Sequence, residues 1–472
     1  MQPPHRAGIG AAAAVHANLS LGVLSFRALS LSAPSAYSEK VPGGVEQSLV
    51  ACAEKPSCDE LVPEFHPSYN KDLMSIPLPA QVTGKRIFIG DDFLETISND
   101  GFIMDKSLVC KVLLEDTNTV SCLCMPRLFG KSFNLSIIAE FFNPVTVHDC
   151  KGGGMNPDFG ASRERRRQLF SKWLLGKHHP DFVEKYLGTL PVIQINFAGL
   201  SRTSLGAFYK SLTYALYNAA TLWVKAYMDP ELLKNDACVE YKALQDVYAT
   251  MGTKVMTVSD SQWEDCSGHA LVLFGRLSDF LAAQHGGKYI ILVDDYDQPL
   301  VASLEKEWQA AGNGVYLSLL MGMFKNNRHL VSGVLIGVHE VDLSYLGSGL
   351  NIGTFISLTA GQYRLKPMLP TDPGKQRPHP LAELFAFTVQ DVEALVTKML
   401  DTPNCTDIYS HEEIMDEIMD RYGYDFGYAT KWYNPWLVLN FLECISADVP
   451  IEDVIDYTRE VSGPAVQGLK NL

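Results

Sequence analysis

Two short stretches hold residue types suited to gripping a phosphate chain. The first is Met125-Pro126-Arg127-Leu128-Phe129-Gly130-Lys131-Ser132. An apolar run, Val120 to Met125, precedes it, and a helix-length segment with Phe133, Leu135, Ile137, Ile138, Phe141 and Phe142 follows. Strand, turn ending in Gly-Lys-Ser, helix is the setting of a phosphate-binding loop. The amides at a helix start have no acceptor within the helix, and its dipole adds positive charge there. Gly130 would let the backbone approach a phosphate, Lys131 would reach the outer phosphates, and Ser132 would hold Mg²⁺. The loop is irregular: Met125 stands where the regular pattern has glycine, and Pro126 lacks an N–H. Alone, the stretch reads equally well as a plain strand-turn-helix.

The second stretch is Lys288 to Leu300, KYIILVDDYDQPL. Tyr289 to Val293 is a continuous apolar run, as in a strand covered on both faces of a parallel sheet. It ends in Asp294-Asp295. Two carboxylates emerging from a buried strand are costly unless a positive group meets them. Asp294 would hold a metal and Asp295 would orient or deprotonate water. Alone this is a strand ending in a solvated acidic turn. The two stretches together favour a nucleotide site, with their strands expected side by side.

On these residues the chain resembles the AAA-ATPase-like P-loop family. That family shows Pro-Arg-x-Phe-Gly-Lys-Ser/Thr, matched by Pro126, Arg127, Phe129, Gly130, Lys131 and Ser132. Its Walker B motif, Asp-Glu-Tyr-Asp-x-Pro-Leu, is matched by Asp294, Tyr296, Asp297, Pro299 and Leu300, with Asp295 in place of Glu. Gly101 to Ser107, Leu190 to Ile193, Ser348 to Asn351 and Tyr433 to Trp436 resemble further motifs, in order between Phe88 and Leu442. The resemblance implies that the loop from Pro126 to Phe133 binds ATP. It implies that Ser132 and Asp294 hold Mg²⁺, and that Lys131 and Asp295 are catalytic. It also implies a polar phosphate sensor at the end of the strand Leu330–Val338. This chain has Ile336-Gly337 there, with Ser332 and His339 the nearest polar groups.

The totals fit a globular chain of 472 residues with 47% hydrophobic and 20% charged residues. A net charge of −15 argues against broad nucleic-acid affinity. The 10 cysteines show neither a disulfide framework nor zinc spacing. Residues 1–38, rich in Ala, Ser and Leu, read as a targeting peptide or an overlong gene start, and Glu39 to Lys85 as a linker. Lys151 to Ser162 reads as a glycine-rich connector, and Arg163 to Arg167 as a solvated charged face or a patch meeting nucleic acid or an acidic partner. Helices are expected over Ser204–Tyr227, Ala270–Gln284 and Gly314–Asn326, then from Thr388, around Ile414 and from Pro435.

The expected fold is α/β: a P-loop NTPase-like parallel sheet with helices on both faces, then a small helical lid. Residues 1–85 would be extension and linker, 86–370 the core and 371–472 the helical domain. Arg421 of the lid would reach a phosphate or form a surface ion pair. The leading expectation is ATP binding with Mg²⁺-dependent hydrolysis driving a conformational switch. The alternative is a nucleotide-bound switch or interaction module with little turnover, and the third is a nucleic-acid-linked defence or mobile-element protein. A protein partner would meet the helical domain. Nucleic acid and membrane are not expected partners, and the location is read as intracellular and cytoplasmic.

Overall fold

The computed structural model describes residues 80–115, 120–145, 159–325, 327–339, 341, 352–357, 380–402, 408–424, 431–447 and 449–454. The expectations for residues 1–79, the connector residues 151–158 and the Ser348–Asn351 turn lie outside them. Val82–Thr83 (β1), expected within the linker, pairs antiparallel with Ile103–Met104 (β2), so the folded chain begins before Arg86. Between and after them lie the short helices Phe93–Ser98 (α1) and Val109–Glu115 (α2).

Val120–Cys124 (β3) leads into the helix Lys131–Phe142 (α3). With Val192–Asn196 (β4), Tyr289–Asp294 (β5), Leu330–Gly337 (β6) and Ile352–Ser357 (β7), β3 forms a parallel sheet in the order β4-β5-β6-β3-β7. β6 lies beside β5. However, β3 and β5 are not neighbours, because β6 runs between them.

Alternation along each strand feeds two cores. Val120, Cys122 and Cys124 of β3 join Tyr289, Ile291 and Val293 of β5 on one face, under helices Leu205–Ala226, Cys238–Thr257, His269–His285 and Gln309–Phe324. Leu123, Ile290, Leu292, Val334 and Ile336 enter the other, under α2, α3 and helix Phe159–Phe170. The chain runs from β3 to β4 and then through β5 and β6 in order, and β7 closes the sheet on the far side of β3. The connections leaving β3 and β5 run in opposite directions and lie on opposite faces, the first through α3 and helix Phe159–Phe170, the second through helix Gln309–Phe324.

Helices Val389–Leu400, His411–Arg421 and Pro435–Ser446 share a third core with Phe102 and Met104. Capping boxes start the first two, at Thr388/Asp391 and Ser410/Glu413. A buried ion pair, Lys106 Nζ to Asp391 Oδ2 at 2.6 Å, ties this core to the segment before β3. The helix expected over Gly314–Asn326 starts earlier, at Gln309, and Cys238–Thr257 is an added helix. The arginine run is a solvated face only in part: Glu164 and Arg165 are exposed, but Arg166 points inward. Arg166 is buried, and its guanidinium donates to the carbonyls of Glu140 at 2.9 Å and Asn143 at 2.5 Å. These carbonyls close α3, where helix geometry leaves acceptors unmatched. Among the described residues no helix is long and apolar enough to cross a membrane.

Candidate nucleotide site

The loop hangs from the carboxyl end of β3. The Met125 N–H donates to Gly337 O at 2.9 Å, which ties its start to β6. The chain then turns through Leu128 (φ 63°) and Gly130 (φ 71°), both left-handed. Glycine takes this conformation freely, whereas leucine takes it against steric resistance. Gly130 is the residue before α3, and Asn134 of the first turn donates back to Gly130 O at 2.9 Å. The amides of Lys131, Ser132 and Phe133 thus open the helix without intrahelical acceptors.

Across the top of β6, the two expected halves meet. Ser132 Oγ donates to Asp294 Oδ2 at 2.5 Å. The other Asp294 oxygen accepts from the Asp295 amide at 3.0 Å. Lys131 is buried, and its Nζ donates to Pro126 O at 2.8 Å, folding the amine over its own loop. Asp295 sits at φ 53°, a left-handed position that aspartate tolerates better than most residues.

The charges report lost water. Burial lowers the pKa of Lys131, with Asp295, Asp294 and Asp297 opposing the shift. Burial raises that of Asp294, countered first by the Ser132 hydroxyl and then by Lys131. Asp295 is pushed up to about 6, first by burial and then by the charge of Asp294. Three carboxyls around one amine leave the site net negative, which a divalent cation would offset.

Not every expected residue arrives here. The Phe133 ring meets Phe93 edge-on at 6.1 Å and Phe129 meets Tyr424 at 5.3 Å, so both side chains pack behind the loop. Arg127 is exposed at the rim. Asn196 ends β4 opposite Asp294 but accepts from the Ala198 amide at 2.6 Å. Ser332 donates to Leu113 O at 3.3 Å, well down β6 from its carboxyl end. Arg421 pairs with Glu417 on its own helix and donates to Ile451 O at 3.3 Å. Asp105 and Ser107 accept the Leu174 and Leu175 amides at 2.6 and 3.1 Å, which makes that motif a structural clasp.

Two groups add to the site. Asp297 is fully buried, and its Oδ2 faces both the backbone N–H and the Nδ1 of His339, at 2.9 and 2.5 Å. Asn434, 0% exposed, donates from Nδ2 to the Arg127 carbonyl at 3.0 Å. The sequence marks Asn434 within the Tyr433–Trp436 motif and before the helix-starting Pro435, but assigns it no contact with the loop. A depression of about 480 Å³ lies elsewhere, between Val82 and the Gln390–Asp401 face, and contains no loop residue.

Residues 155–346 match the model of a family described as Predicted AAA-ATPase. The match spans β4, β5 and β6, including Asp294 and Asp295, and begins after the Lys131 loop. No curated protein and no solved structure gives a significant match to the chain.

Proposed function

We propose that the protein binds ATP with Mg²⁺ between the Pro126–Ser132 loop and Asp294–Asp295, and hydrolyses it to drive movement of the helices after residue 380. The observation that carries this is the 2.5 Å bond between Ser132 and Asp294, with the Lys131 amine folded into the same loop. A hydroxyl and a carboxylate are the hard oxygen donors Mg²⁺ takes, and it usually completes its shell with water and phosphate oxygens. Among the described residues no group of three His, Cys, Asp or Glu side chains forms a metal cage, so Ser132 and Asp294 would hold the ion jointly with the nucleotide. The family match around Asp294 agrees with this reading. Bound Mg²⁺ would supply neutralisation of phosphate charge. Lys131 would bind the outer phosphates, the first-turn amides of α3 would line them, and Asp295 would orient the attacking water.

A titration with labelled ATP, with and without magnesium, tests this. Binding is expected to need the metal, because the site is net negative, and to weaken at least about a hundredfold in Lys131→Ala, as loss of a buried charge contact implies. Equal binding by wild type and Lys131→Ala would overturn the proposal.

The second reading, a switch that binds ATP and turns it over slowly, is favoured by two residues. Asp295 is one methylene shorter than glutamate, which changes the reach to water. Ile336, buried at the end of β6, offers no hydrogen bond.

A further inference from the structure

The grip on phosphate depends on the shape of the Pro126–Gly130 turn, and part of what fixes that shape lies 307 residues further along the chain. The Asn434 Oδ1 accepts the amides of Trp436 and Leu437 at 3.0 and 3.2 Å, capping helix Pro435–Ser446. A carboxamide is planar, so anchoring its oxygen on a helix start also fixes the direction of its nitrogen. That nitrogen meets the Arg127 carbonyl at 3.0 Å. The bond falls next to Leu128, the residue held in the disfavoured left-handed conformation. The same helix start borders the far end of the turn: Pro435 Cγ lies 3.7 Å from where a Cβ on Gly130 would stand. One helix terminus therefore holds the turn at Arg127 and borders it at Gly130.

We infer that Asn434 is a positioning residue of the phosphate loop: it holds the Arg127 carbonyl and so sets the turn that presents the first amides of α3. Its consequence for affinity rests on the nucleotide reading above. Its geometric content does not, and each part has its own measurement.

Asn434→Ser is the test. Serine caps a helix about as well as asparagine and is neutral, but its hydroxyl is too short to bond both the helix amides and Arg127 O. Wild type, Asn434→Ser and Lys131→Ala are compared for melting temperature, rate of tryptic cleavage after Arg127, and affinity for labelled ATP with magnesium. For Asn434→Ser we expect a melting temperature within about 2 °C of wild type. Cleavage after Arg127 should be several times faster, with cleavage after Arg276 unchanged. Affinity should fall about tenfold, equivalent to roughly 1.4 kcal/mol. Unchanged cleavage at Arg127, or acceleration shared equally with Arg276, overturns the inference. If wild type shows no Lys131-dependent ATP binding, the nucleotide reading fails while the cleavage comparison still decides this one. Should the serine variant not fold, Asn434→Asp keeps both cap bonds, lacks the donor, and carries the same cleavage expectation.

Discussion

Asp295 is the residue at which hydrolysis and simple binding part. If it positions water, Asp295→Ala should lower turnover by at least about a hundredfold while leaving affinity near wild type. A variant that keeps a near-zero wild-type rate unchanged would favour the slow switch. The raised pKa, about 6, adds a stability consequence. The folded-state value lies above the free value of 3.8, so the ionised carboxyl opposes folding at neutral pH. Asp295→Asn should therefore stabilise the ligand-free protein by about 1 kcal/mol at pH 7. That gain should fade as pH falls through 6 towards 4, measured by denaturant titration at each pH.

Among the elements, β5 and β6 are legible in the sequence because strands covered on both faces read as continuous apolar runs. Helix ends are legible too. Ser204 and Thr388 cap the helices expected to start there, and helix His269–His285 stops on left-handed Gly286 at φ 79°. Arg166 was not legible, because its role depends on where α3 ends in space. Strand order was not legible either, since Val120 pairs with Gly333 through contacts no local pattern encodes. His285 closes its helix against Tyr227, whose hydroxyl lies 3.0 Å from Nε2. Burial pulls its pKa from 6.5 to about 3, so it outweighs the helix dipole, which favours the cation. Below pH 6.5 the unfolded chain takes up a proton that the folded ring refuses, and stability falls. His285 as a whole is only partly buried, so the loss between pH 6.5 and 5 should be about 1 kcal/mol. His285→Gln should remove that part of the acid slope in denaturant melts at pH 7 and pH 5.

For the whole molecule, the Lys106–Asp391 pair joins the segment before β3 to the helices that border the loop. Removing one member of a buried pair strands the other charge, at a cost of about 3–5 kcal/mol. Asp391 also accepts the Thr388 amide at 2.8 Å, so Lys106→Met should fall near about 3 kcal/mol. Hydrogen exchange should rise across helices Val389–Leu400 and Pro435–Ser446 more than in β5. Equal protection in both regions would show that the pair does not couple them. The sheet order carries a consequence for biosynthesis. β3 leaves the ribosome early, yet its partners β6 and β7 are among the last strands made. At roughly 5–20 residues per second, β3 waits for tens of seconds with both edges open to mispairing, so the nascent protein should depend on chaperone protection during that interval.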